Sequence, residues 1–174
     1  MNARIDSPLL AALQQVHINW LLAHGVSPTA IIKPAPVMLC RGERARDGHF
    51  DENPDGNVFL AFEECDDFVF WRPSTGETVT AYGRAFALGE ELIDNPATCA
   101  LGQYLNIFAD PLEWLKHERR GIAILNWRLA FERLRWVSRI AVAEALLPTY
   151  RRYMKPIRMP DLAVLPAAEM SAAA

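Results

Sequence analysis

The chain's tightest constraint is a change of hydrophobic rhythm at Val37. From there to Gly83 apolar and polar side chains alternate in short runs, the pattern of strands with one face on a core. The runs are residues 37–41, 48–51, 58–62, 68–72 and 77–83. Between them stand Asn53-Pro54-Asp55-Gly56, Cys65-Asp66-Asp67 and Pro73-Ser74-Thr75-Gly76. Each separator is turn chemistry: Gly admits positive φ, Pro presets φ, and Asn or Asp bonds its own backbone. Strands joined this tightly pair antiparallel, because parallel pairing needs a crossover of a dozen or more residues. The region is therefore expected to form an antiparallel β meander.

Helical signals flank it. Ser7-Pro8 reads as a helix start, with Leu9, Leu13, Val16 and Trp20 on one face and Gly25 as the stop. Ser27-Pro28 repeats the start for a short helix over 29–32, ended by Pro34 and Pro36. Together these predict an N-terminal helical corner. Residues 86–93 fit a helical turn or an irregular loop, and 103–108 a strand. Beyond them strand and helix alternate. Asp110-Pro111 caps a helix to Arg120, 122–125 is a strand, Asn126 caps a helix over 127–136, 139–143 is a strand and 145–154 a helix. That order predicts a C-terminal β-α-β-α portion with parallel strands. The fold class expected is α+β, with 1–166 one globular domain, 157–165 extended, and 167–174 a frayed tail.

The C-terminal order strand, Asn126, helix, strand, Glu144, helix is similar in outline to the start of a Toprim nucleotidyl-transfer module. That family places an acidic residue after the first strand and an Asp-x-Asp after a later one. Here Asn126 holds the first place and Glu144 stands alone, so the resemblance, over some 35 residues, implies no metal chemistry.

The 174 residues carry 51% hydrophobic side chains, enough for a core without disulfides and too many for a disordered chain. No apolar run approaches the ~20 residues of a membrane span, and the N-terminus lacks an apolar stretch with a cleavage site. Cys40, Cys65 and Cys99 are odd in number and without CxxC spacing, which reads as reduced thiols in a cytoplasmic compartment.

The formal charge of −3 hides an uneven distribution. Residues 1–60 sum to −1, 61–109 to −6, 110–160 to +6, and the remainder to −2. Glu63, Glu64, Asp66 and Asp67 crowd a hairpin tip and are candidates for presenting negative charge to a basic partner. Arg128, Arg135, Arg151 and Arg152, interleaved with Trp127, Trp136, Tyr150 and Tyr153, are candidates for binding an acidic partner or a nucleic acid, since Arg follows phosphates and aromatic rings stack on bases. Asp47, His49 and Asp51 would share one face of a strand and offer two carboxylates and an imidazole to a metal. No Gly-rich phosphate loop or nucleophile elbow occurs. The leading expectation is a non-enzymatic interaction protein working through charged surfaces on a protein partner, without a cofactor. The alternatives are a nucleic-acid-binding accessory protein and a small metal-dependent enzyme built on the D-x-H-x-D run.

Overall fold

Short turns bring β1 (Ala11–Ala12), β2 (Met38–Arg44), β3 (Phe50–Glu52), β4 (Asn57–Glu64), β5 (Asp67–Arg72) and β6 (Glu77–Thr80) into one antiparallel sheet. The structure, a computed structural model, describes residues 9–156. Ser7-Pro8, the stretch 157–165 and the tail 167–174 lie outside them. The α+β class and the antiparallel pairing are as expected.

One crossing departs from a simple meander. Met38–Gly42 pairs with 57–61, while Gly42–Arg44 pairs with 50–52. Gly42 thus has Glu52 on one side and Asn57 on the other, so the turn 53–56 carries the chain from one side of β2 to the other. A Cβ on Gly56 would lie 2.7 Å from the Gly42 carbonyl oxygen. Only glycine permits that approach.

The first helix differs from expectation. Ala11 and Ala12 pair with Leu39 and Met38, so these two residues belong to the sheet edge and not to a helix. Helix α1 spans Gln15–Ala23, with no side-chain cap at Gln14. Leu9 and Val16, placed by periodicity on one face, are exposed, whereas Leu21 is buried and Leu13, Ile18 and Trp20 pack against the core. Helix α2 (Pro28–Ile32) begins where Ser27-Pro28 said it would, with the Ser27 hydroxyl oxygen accepting from the Ala30 amide at 3.1 Å.

A second sheet contains β7 (Ala87–Leu88), β8 (Leu105–Phe108), β9 (Ile122–Ile124) and β10 (Ile140–Val142) in the order β10-β8-β9-β7. The stretch 86–93, expected as a helical turn or an irregular loop, holds the short strand β7 and then one 3-10 turn over Glu90–Leu92. Strands β8, β9 and β10 are parallel, and β7 runs against β9. Helix α3 (Pro111–Lys116) links β8 to β9, α4 (Ala130–Leu134) links β9 to β10, and α5 (Leu147–Tyr153) follows. The Asp110 carboxylate caps α3 by accepting from the Glu113 amide at 2.9 Å. Helix α3 stops before Arg120 because Glu118 and Arg119 turn to φ 58° and 55°.

Alternation along β4 and β5 does not sort buried from exposed, because both faces are covered. Leu60, Phe62, Val69 and Trp71 share a core with Leu21, Leu88, Trp114 and Leu115, which joins the two sheets. Phe59, Ala61, Phe70 and Val79 form another core on the opposite face, over which the Phe50 ring stacks on Phe70 at 3.7 Å. No helix among the described residues is long and apolar enough to cross a membrane.

Candidate functional site

The β4–β5 hairpin ends in the register Glu63 opposite Phe68 and Glu64 opposite Asp67. Successive strand residues point to opposite faces, which separates the acidic side chains of this tip. Glu63 and Asp66 are exposed. Asp67, expected to present its charge to a partner, is 3% exposed. Its Oδ1 accepts from the amides of Phe68 and Tyr82 at 2.8 and 2.9 Å, and its Oδ2 from those of Arg84 and Ala85 at 2.7 and 3.0 Å. A carboxylate so engaged fastens the chain after β6 to the hairpin and is not free to meet a partner.

Glu64 turns inward as well. Its two oxygens accept from the amides of Gly89 at 2.8 Å and Glu90 at 3.4 Å. Burial disfavours its charged form more than these bonds favour it, and Glu91 and Glu90 add repulsion, so the carboxyl is pushed up to about 7. Glu64, Asp66, Asp67, Glu90, Glu91 and Asp94 converge with Arg84 and Arg133 on an open recess of about 280 Å³. Glu90 is ion-paired with Arg133 and accepts from the Phe86 amide at 2.8 Å. Asp66, Glu91 and Asp94 remain exposed and give the recess its outward charge. Glu90, Glu91 and Asp94 were absent from the sequence-based candidates. Their signal was the −6 total of the 61–109 stretch, which no local motif divides.

The four candidate arginines are all exposed. Helix α5 packs on α4 and on the 3-10 turn 127–129, so the segments carrying Arg128, Arg135, Arg151 and Arg152 adjoin one another. Arg135 pairs with Glu132 at 3.4 Å and lies 5.2 Å from the Trp136 ring centroid; Arg152 lies 5.3 Å from that of Tyr153. Trp136 is 83% exposed.

The D-x-H-x-D run does not form a common strand face. Strand β3 begins at Phe50, after Asp47 and His49. The Asp47 Oδ1 accepts from the His49 amide at 3.0 Å, which closes a turn and removes the geometry the metal reading required. His49 packs toward Gly83, and its Nδ1 is buried without a hydrogen-bond partner. Among the described residues no three His, Cys, Asp or Glu side chains gather to hold a metal ion.

Cys40 and Cys65 are poor nucleophiles. Burial, with Glu52 adding repulsion, pushes Cys40 up to about 11, and burial with nearby Glu64, Glu90 and Glu91 raises Cys65. Set beside protein-family models, curated proteins and solved structures, the chain matches none of them.

Proposed function

We propose that the protein is a non-enzymatic cytoplasmic interaction protein that captures a protein partner through its charged surfaces. One observation carries this reading. The ion pairs among the described residues are Arg44–Glu77, Arg72–Glu77, Lys116–Glu113, Arg133–Glu90 and Arg135–Glu132. Of these, only Arg133–Glu90 joins the acidic stretch 61–109 to the basic stretch 110–160. Exposed charge of each sign, at Asp66, Glu91 and Asp94 and at Arg128, Arg151 and Arg152, is left to meet a partner of opposite sign. Cys40, Cys65 and Cys99 are free thiols, in keeping with a reducing compartment.

The test is capture by two charge-reversed proteins, Asp66→Lys/Glu91→Lys/Asp94→Lys and Arg128→Glu/Arg151→Glu/Arg152→Glu, at low and high salt. One of them is expected to lose the partner retained by the unaltered protein, and high salt to release it, since exposed pairs are screened beyond about 10 Å at ~0.1 M. Capture that ignores both salt and charge reversal excludes the reading.

A second reading is supported by Trp136, exposed beside Arg135: a ring and a guanidinium of this kind suit stacking on a single-stranded nucleic acid. Mobility shift at low salt, lost with Trp136→Ala, is its expected result. No shift with the unaltered protein excludes it.

A further inference from the structure

We propose that the cavity at the amino-terminal ends of β8 and β9 binds a small phosphomonoester. The inference is independent of the charged-surface reading above. The cavity measures about 500 Å³, within the ~300–1,000 Å³ usual for small-molecule sites. Lys33, Arg119 and Arg120 line it together with Gln103, Tyr104 and Asn106, and no carboxylate is among its lining residues. The same fold thus collects carboxylates in one recess and cations in another.

Three like charges in one concavity repel, so something must hold them there. The turn after α3 does so through two consecutive non-glycine residues at positive φ, Glu118 and Arg119, a sparsely populated conformation that persists only where its surroundings impose it. The Arg119 guanidinium lies over the Trp114 ring at 5.3 Å, and its Nη1 donates to the Ala35 carbonyl at 2.8 Å. Its Nε and Nη2 are buried without a hydrogen-bond partner, so no contact within the protein cancels this charge at close range. The acids that act on it from farther off, Glu64 and Glu91, line the acidic recess. Lys33 donates through Nζ to the Glu118 carbonyl at 2.7 Å, which fixes the ammonium and leaves two of its protons to give. The Glu118 carboxylate is engaged with the Ser27 hydroxyl. Arg120 is exposed, and its guanidinium has no ion-pair partner among the described residues.

The Lys33 ammonium and the exposed Arg120 guanidinium, which line one cavity, are a donor set that suits a phosphate dianion. The space exceeds what a bare phosphate fills. Tyr104, 53% exposed, provides a ring face at the rim for the ester's organic group.

The experiment is titration calorimetry of the full chain with inorganic phosphate, phenyl phosphate and phenyl sulfate at matched ionic strength. The set is repeated on Lys33→Gln/Arg120→Gln, on Arg120→Gln alone, and on the control Arg46→Gln, an exposed cation elsewhere. Saturable binding is expected, with phenyl phosphate tighter than inorganic phosphate and the monoanionic sulfate weakest. The double variant is expected to lose at least tenfold in affinity, the Arg120→Gln variant part of that, and Arg46→Gln nothing. Should the double variant fold poorly, Arg120→Gln decides. No saturable heat with phenyl phosphate, equal binding by the Arg120→Gln variant, or binding confined to a single-stranded oligonucleotide would each overturn the proposal.

Discussion

Asp67 and Glu64 face each other across the hairpin, and the same local sequence gives them opposite roles. Asp67 is 3% exposed with all of its acceptor capacity on backbone amides. Replacing it by Ala leaves four amides without their acceptor, and urea denaturation is expected to show a loss of about 3–5 kcal/mol. Asp67→Asn keeps one oxygen and sets an NH₂ against two donors, so a loss of about 2–4 kcal/mol is expected. Glu64 responds to pH. Its carboxyl stands at about 7 in the fold against an ordinary value of 4.5. A raised folded value means that its contribution to stability is complete below about 4.5 and is lost as pH rises through about 7. The unfolding free energy is therefore expected to fall from about pH 5 to about pH 8 by at most about 3 kcal/mol. Glu64→Gln, uncharged at both, should flatten that slope; an unchanged slope would place its origin in another group. The sequence announced that charge crowds this tip. It could not say which carboxylate is solvated, because that depends on Gly89 and Tyr82 returning to the hairpin from a distance.

At the scale of elements, local chemistry was legible wherever it decided the outcome. Ser27-Pro28, Asp110-Pro111 and Asn126 each cap the helical turn that follows them, through bonds to the amides of Ala30, Glu113 and Arg128. Ser27→Ala is expected to cost about 1 kcal/mol as a lost cap, and somewhat more because the same hydroxyl engages Glu118. The first helix was misplaced because Leu9, Leu13 and Val16 have helical spacing, while the neighbouring edge of β2 offers Ala11 and Ala12 backbone partners. Periodicity reports one chain segment and knows nothing of an open sheet edge. The crossing at Gly42 and Gly56 was equally out of reach. A Cβ on Gly56 would strike backbone that cannot move aside, and Gly56→Ala is expected to destabilise by about 3 kcal/mol or more in urea titration.

For the molecule as a whole, the parallel character of the C-terminal portion was readable from alternation, whereas the joining of the two sheets by Trp71, Leu88 and Trp114 in one core was not. The candidate site divided along the same line. The charge totals divide the chain into acidic and basic stretches, whereas the cationic cavity combines Lys33 with Arg119 and Arg120, residues far apart in the chain that no local motif links. Positive φ at Glu118 and Arg119 has no sequence signature either, since glycine is absent from both positions.

The outer side of β2 is shared by two small pieces of chain: Ala11–Ala12 covers Met38 and Leu39, and β3 covers 42–44. Neither is long enough to recruit a further strand, so together they act as a guard against edge-to-edge aggregation. A protein shortened to begin at Gln15 would leave the amides and carbonyls beside Leu39 open to a second molecule. Such a protein is expected to associate with itself in a concentration-dependent way, visible by light scattering, while the full chain stays dispersed at equal concentration. The two alanines, too few to matter for the core, would then be what keeps this sheet to itself.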